Sequence, residues 1–516
     1  MELTVPAAVA WAAREFGDAE AVADPRPGGS RLSYRELGER VTAVAAALTE
    51  AGAGPGDRVA VWGPNDSQWI LAALGALGVG GVLVPVSTRF TGPEALDVIG
   101  RSGARVLFVA GDFLGVDRLG ALRAAAGASE GLEALRLVVR MPGEWDAFLR
   151  RGAWVPLALT GQRAGAVRPG DVSDIMFTSG TTGRSKGTMT SHERTLGVAR
   201  AWAECTGLTA RDRYLVVSPF FHTFGYKAGI LACLVSGAAL VSQATFDAGA
   251  AMRLIEAERI TVLPGAPAIY ASILDHPERG SFDLSSLRLA VTGAADVPVA
   301  LVERMRRELN FETVLTGYGL TEAVVATMCR PGDAAEIVAS TSGRAAAGFE
   351  VRIGPSEEIL LRGPNLMLGY LDDPVATAAA IDGDGWLHTG DAGRLDAGGY
   401  LAITGRIKDM YLCGGFNVYP AEVEQVLARL DGVAESAVIG VPDPRLGEVG
   451  RAFLVTRPGH ALAEADVLAF CRERLANYKV PRRAVFRAAL PRNASGKVLK
   501  RVLREESSVT PGDEPG

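Results

Sequence analysis

The segment FTSGTTGRSKG, Phe177 to Gly187, concentrates Thr, Ser and Gly directly behind an apolar run. Glycines let successive backbone N–H groups converge on an anion, hydroxyls add donors, and Lys186 adds a positive charge. In physical terms this is a phosphate cradle. It lacks the GxxxxGK[ST] spacing of a Walker A loop, and RNASGKV near the C-terminus fails that pattern too, with Pro491 where the first glycine belongs. The competing reading is a flexible Ser/Thr/Gly linker, which the adjoining strand pattern argues against. A second segment, TGYGLTE (316–322), sets an aromatic between glycines and ends in a hydroxyl and a carboxylate. Tyr318 suits stacking on a base, and Glu322 suits a hard cation such as Mg2+. WLHTGD (386–391) offers Asp391 to a ribose diol, and GRIKDMYLCGGFNVYPAEVE (405–424) offers Arg406 to ribose or phosphate. LPRNASGKVLKR (490–501) presents Lys497 on a glycine-containing loop. Taken singly, TGYGLTE reads equally well as a surface turn, the next two segments read more often as ordinary turns, and LPRNASGKVLKR reads more often as a solvated basic end.

The elements that must hold these segments follow an alternating pattern. Ser33-Tyr34-Arg35-Glu36 has the form of a capping box and opens a helix that stops at Gly52. A strand over DRVAVWG, a buried helix over 67–77 and core strands over 82–86 and 104–110 come next. Trp69 to Val86 runs 18 residues without a polar side chain, the length of a membrane span. Its glycines and Pro85 break it into helix, turn and strand. Residues 112–170 are weakly patterned. Strands then recur at 173–177, 213–218, 238–243, 260–265 and 287–293, with helices at 193–204, 247–258 and 298–309. Such alternation implies βαβ units and an α/β fold on a mostly parallel sheet. After about residue 340 the pattern turns β-rich, and past Arg406 a distinct unit begins, with Pro420 opening a helix. The end, SSVTPGDEPG, reads as a disordered tail.

Composition sets the outer bounds. The 516 residues include 53 basic side chains, of which only six are lysine: Lys186, Lys227, Lys408, Lys479, Lys497 and Lys500. The net charge of −6 gives no basic excess for a general nucleic-acid or anionic-membrane binder. Five scattered cysteines without a CxxC pair speak against a disulfide framework or a zinc site and fit a reducing cytoplasm. The N-terminus lacks the basic-then-apolar layout of a signal peptide.

Taken together and in this order, the segments resemble the ANL superfamily of adenylate-forming enzymes, in the AMP-forming acyl-CoA synthetase group. The resemblance runs from LSYREL to SGKVLKR and includes NDSQWILAALGALGVGGVLVPV, SPFFHTFG (218–225), RGPNLMLGY (362–370) and IGVPDPRLGE (439–448). PFFHTFGYKAGILACL with CGGFNVYPAEVE is most similar to actinobacterial ligases of steroid-ring-fragment acids. The resemblance implies a large N-terminal domain of doubly wound αβαβα sheet subdomains plus a distorted β-barrel (1–405), a hinge at 406–408, and a small mobile α+β lid (409–505) before a tail at 506–516.

It also implies roles. Thr178, Ser179, Gly180, Thr181, Thr182, Gly183 and Lys186 would hold the ATP phosphates. Gly293, Ala294, Ala295 and Tyr318 would form the adenine slot. Thr321 would meet the α-phosphate, Glu322 the Mg2+, and Asp391 with Arg406 the ribose. Lys408 falls at the hinge. Lys497 matches the lysine bridging substrate carboxylate and α-phosphate, and His222 the gate between acyl pocket and thiol channel. Gly414 and Gly415 belong to the thiol tunnel. Phe221, Phe224, Gly225 and Lys227 are expected at the acyl pocket by proximity to His222, the alternative for Lys227 being a structural or surface lysine. Two departures stand out: Ser185 where the family often has Pro, and the atypical TMTSHE (188–193). The implied reaction joins a bulky polycyclic or alicyclic carboxylic acid to coenzyme A through an acyl-adenylate, using ATP and Mg2+, in a cytoplasmic monomer or homodimer. Its rivals are a single half-reaction, loading of a separate carrier protein, and a non-catalytic nucleotide or acyl-CoA binder.

Overall fold

A computed structural model describes residues 3–26, 28–127, 132–178, 185–293, 297–346, 348–414, 416–492 and 498–509. The chain divides into two compact units, Met1–Glu350 with Arg362–Leu387, and Val351–Leu361 with His388–Gly516.

Local sequence signals set the first unit's helices. Ser33 caps Tyr34–Glu50 through the reciprocal capping box with Glu36. Asp66 caps Ser67–Gly78, its carboxylate accepting from Trp69 N–H at 2.6 Å. That helix is apolar on nearly every face because it is buried in the core, and a glycine turn then leads into the strand Val82–Pro85. Among the described residues no helix is long and apolar enough to cross a membrane.

Among the described residues, a nine-stranded and a seven-stranded sheet form the frame of this unit. In the larger sheet, Arg213–Val216, Ala239–Ser242, Val262–Pro264, Leu289–Gly293 and Thr313–Leu320 pair in parallel, and Ala323–Met328 turns back antiparallel beside the last. In the smaller sheet, Arg58–Trp62, Val82–Pro85, Val106–Ala110 and Leu137–Met141 are parallel. The strand Val172–Thr178 continues this sheet and carries the antiparallel hairpin partner Lys186–Ser191. The described residues of the weakly patterned 112–170 stretch include the helices Arg118–Ala126, Trp145–Arg151 and Leu157–Ala166 and the strand Leu137–Met141.

Among the described residues the second unit holds two sheets. The β-rich stretch expected as a distorted barrel gives, among the described residues, a four-stranded sheet of Glu350–Ile353, Glu358–Arg362, Leu387–Leu395 and Leu401–Arg406. The strands within 388–406 share this sheet with those within 350–362, so the two segments fall in one compact unit. The other sheet centres on the long hairpin Val433–Asp443 and Gly447–Thr456, with Pro420–Leu427 packed on it. The helix Lys500–Val509, with Leu503 fully buried, reaches into the start of the stretch expected as a tail, and 510–516 lie outside the described residues.

Candidate active site

In the first unit the predicted phosphate segment spans a hairpin end. Thr178 closes one strand and Lys186 opens the next, directly paired. Ser179, Gly180, Thr181, Thr182 and Gly183 lie outside the described residues, as do Ala294, Ala295, Gly415 and Lys497. Arg101 grips both flanks of the segment. Its guanidinium donates to the Ser185 carbonyl at 2.7 Å and lies over the Phe177 ring at 5.3 Å. An i,i+4 ion pair with Asp97 at 3.1 Å orients it.

Gly293 and Gly317 face each other in register at the C-terminal ends of parallel strands. Gly293 has φ +158°, and a Cβ there would stand 2.8 Å from the Gly317 carbonyl, so only glycine fits this approach. The exposed backbone of such strand ends is where open α/β sheets take their ligands. Tyr318 is buried one residue further on. Thr321 and Glu322 are the turn between Thr313–Leu320 and Ala323–Met328. Met367 N–H donates to the Glu322 carbonyl at 2.8 Å, and Tyr370 Oη donates to Glu322 Oε1, also at 2.8 Å. Among the described residues no cluster of three His, Cys, Asp or Glu side chains forms a metal cage. Glu322 Oε2 still suits Mg2+, which needs only one or two protein carboxylates beside phosphate and water oxygens.

The gate segment is held by Asn65, the first residue of the NDSQWIL stretch, to which the sequence reading gives no role of its own. Asn65 Oδ1 accepts from Phe220 N–H at 2.8 Å and its Nδ2 donates to the Ser218 carbonyl at 2.9 Å. Its signals are membership of that stretch and its place beside the helix-capping Asp66. Gly225 is required next, since a Cβ would stand 2.1 Å from the Pro219 carbonyl. His222 Nδ1 accepts from Phe224 N–H at 3.3 Å, so Nε2 carries the ring proton. The ring is accessible yet crowded by protein, and that desolvation lowers its pKa and keeps it neutral at pH 7. Phe221 is partly exposed, and Phe224 packs edge-on against Trp202.

Lys227 is a core residue. It lies in the π-helical turn Tyr226–Leu231, 1% exposed, and its ammonium pairs with the fully buried Asp174 at 2.9 Å. It also donates to Thr190 Oγ1 at 3.1 Å, and Asp174 Oδ2 accepts from Ser173 and Thr195 hydroxyls at 2.7 Å each. The atypical TMTSHE stretch therefore supplies Thr190 to a buried polar network.

In the second unit a recess of about 560 Å³ is lined by Asp391, Arg406, Lys408, His388 and Glu358 among others. Asp391 and Arg406 are cross-strand partners with Nε–Oδ1 at 3.2 Å. Glu358 holds the HTG turn by accepting from Gly390 N–H at 3.0 Å and pairing with His388 Nδ1 at 2.9 Å. Burial, then repulsion from Arg406, holds the Lys408 ammonium below the ordinary lysine pKa. Gly414 donates its N–H to the Leu446 carbonyl at 2.8 Å beside the short hairpin 411–418.

Known proteins share this architecture and sequence. A ligase of Rhodococcus jostii (strain RHA1), named 3-[(3aS,4S,7aS)-7a-methyl-1,5-dioxo-octahydro-1H-inden-4-yl]propanoyl:CoA ligase, is 58% identical over 98% of both chains. Among solved structures, the anthranilate CoA ligase AuaEII in complex with anthranoyl-AMP superposes with a TM-score of 0.88 at 26% identity, covering 98% of this chain and 99% of that one. ATP-bound MatB from Rhodopseudomonas palustris gives 0.83 at 28% identity, with 99% of each chain covered. The family model described as AMP-binding enzyme matches residues 9–371, and that of the AMP-binding enzyme C-terminal domain matches 422–497. The nucleotide-suited residues of both units thus fall on one family's framework across nearly the whole length, and the chain belongs to the AMP-binding enzymes of the adenylate-forming ANL superfamily.

Proposed function

We propose that this enzyme is an AMP-forming acyl-CoA ligase whose acid is a propanoate borne on a fused-ring diketone. The observation that carries the reading is the 58% identity, over 98% of both chains, to a ligase named for an indanyl-propanoyl substrate. The retained chemistry supports it. A carboxylate attacking ATP is an anion approaching an anion, and the residues must offset that repulsion. Lys186 and the 178–183 segment serve the β- and γ-phosphates, Thr321 the α-phosphate, and Lys497 the reacting carboxylate. Asp391 and Arg406 serve the ribose; Tyr318 with 293–295 serves the base. Glu322 supplies the carboxylate for Mg2+, which when bound neutralises phosphate charge. No general base is required, because the acid is already ionised at pH 7. A thiol then displaces AMP; neutral His222 serves as the gate of the acyl pocket, and Gly414 and Gly415 serve the thiol. Phe221, Phe224 and Gly225 form the acyl pocket, with Lys227 as buried support behind them. Residues 406–408 act as the hinge between the two half-reactions.

The test is thioester formation by mass spectrometry with ATP, CoA and a panel of fused-ring, aromatic and straight-chain acids. The fused-ring propanoate should give the highest kcat/KM, and equal turnover of fatty acids would overturn the substrate class. Lys497→Ala should lose acid-dependent pyrophosphate release and keep CoA transfer from supplied acyl-adenylate. Undiminished pyrophosphate release by this variant would remove Lys497 from the adenylation step.

A further inference from the structure

One side chain outside the assigned set touches two of its members. Lys186–Ser191 runs antiparallel to Gly369–Tyr370, with Thr188 opposite Tyr370. Residues two apart on a strand share a face, so Lys186 lies on the face of Tyr370. Its ammonium stands 4.8 Å from the ring centroid, while the Tyr370 hydroxyl donates to Glu322 Oε1 at 2.8 Å. The backbone around the ring is held as well. Tyr370 N–H donates to Thr377 Oγ1 at 2.9 Å. Arg194 donates to the carbonyls of Leu366 and Met367 at 2.6 and 2.9 Å, and Met367 in turn holds the Glu322 turn.

We propose that Tyr370 is a positioning residue of the nucleotide site: its hydroxyl fixes the Glu322 carboxylate while its ring face holds the Lys186 ammonium. This rests on the reading of Lys186 and Glu322 given above. A glutamate on a turn rotates freely about its side-chain torsions. A donor fixed to one oxygen directs the other toward a cation, and such partners of a metal ligand are typically worth about 10–100-fold in metal affinity. The ring acts separately, since a cation over an aromatic face is attracted by its quadrupole. One residue thereby sets the spacing between a phosphate-binding cation and a metal-binding anion.

The two halves separate experimentally in the full-length enzyme. The probes are Mn2+, followed by electron paramagnetic resonance, and α,β-methylene-ATP, which cannot release pyrophosphate. Tyr370→Phe keeps the ring and loses the hydroxyl. Its Mn2+ affinity in the presence of the analogue should fall about 10–100-fold, with metal-free affinity for the analogue within about twofold of wild type. Tyr370→Leu loses both contacts and should in addition bind the metal-free analogue about 2–5-fold more weakly. Both variants keep the backbone contacts to Thr377 and the neighbouring strand. Wild-type Mn2+ affinity in Tyr370→Phe overturns the proposal. So does an equal loss of metal-free nucleotide binding in the two variants, which is what general loosening produces. Failure of the wild-type enzyme to bind the analogue overturns instead the nucleotide-site reading beneath it.

Discussion

Lysine is scarce in this chain, and most of the lysines that are described are committed to a partner. Lys479 pairs with Glu422 and Lys500 with Glu424 at 2.8 Å, so these two brace the helix Pro420–Leu427. Lys186 lies over Tyr370, and Lys227 is in the core with Asp174. The last pair is the most consequential for stability, since both side chains are essentially inaccessible. Removing one partner of a buried pair strands the other charge, whereas replacing both with apolar groups of similar volume is often neutral. Lys227→Met should therefore destabilise the first unit by about 3–5 kcal/mol, and Lys227→Met with Asp174→Leu should recover most of that loss. Urea melts of the three proteins decide it. A double variant no more stable than the single would show that the charge pair itself, rather than the stranded Asp174, sets the cost.

At the scale of elements, the helix Gly92–Ser102 does more than cover the sheet. Through Arg101 it holds the Ser185 carbonyl and the Phe177 ring, the two flanks of the phosphate segment. A hydrogen bond from a charged donor is typically worth about 1.5–3 kcal/mol, so Arg101→Ala should raise KM for ATP about tenfold or more. The CoA step from supplied acyl-adenylate should stay near wild type. Arg101→Lys should not rescue, because an ammonium cannot reproduce the planar fork over a ring. An unchanged KM for ATP would deny the helix this role. The sequence announces elements whose signals are local: Ser33 and Glu36 cap one helix, Pro420 opens another, and the apolar runs of the parallel strands are plain. It hides 112–170, where Leu157–Ala166 buries only Thr160 and Arg118–Ala126 shows little amphipathic stripe for a periodicity argument to use. In the site, Glu322 and Asp391 are legible from residue type beside glycine turns. The residues that hold the site segments are not. Tyr370 is 48 residues from Glu322, and Asn65 is 155 from Phe220. Only the packing of segments far apart in the chain brings such groups together.

For the molecule as a whole, a buried acidic cluster makes folding stability depend on pH. Asp24 and Asp66 share Arg26, at 2.7 and 3.3 Å, beneath the helix Ser67–Gly78. The two carboxylates respond oppositely. Asp24 is held below its ordinary pKa: burial opposes this, but hydrogen bonds from Arg26 and Ser67 outweigh it. Asp66 is pushed up to about 6, chiefly by burial. A carboxyl with a raised folded-state pKa favours folding fully only below its unfolded value of 3.8, and that contribution is lost as pH climbs through about 6. At about 1.4 kcal/mol for each tenfold change in proton affinity, the loss between pH 4 and 6 is about 3 kcal/mol. Asp24 acts in the other direction, its contribution disappearing as pH falls below the ordinary carboxylate range. Asp66→Asn isolates the first effect. The amide oxygen can still cap the helix at Trp69 N–H, and asparagine is as good a cap as aspartate, but nothing titrates. The wild-type protein should therefore lose stability relative to Asp66→Asn as pH rises from 4 to 7, with the difference levelling off above about 6.5. Paired thermal melts across that range test the sign directly. A stability difference that is flat with pH, or that grows in favour of the wild type, would mean that Asp66 is ionised in the folded protein and that Arg26 outweighs its burial.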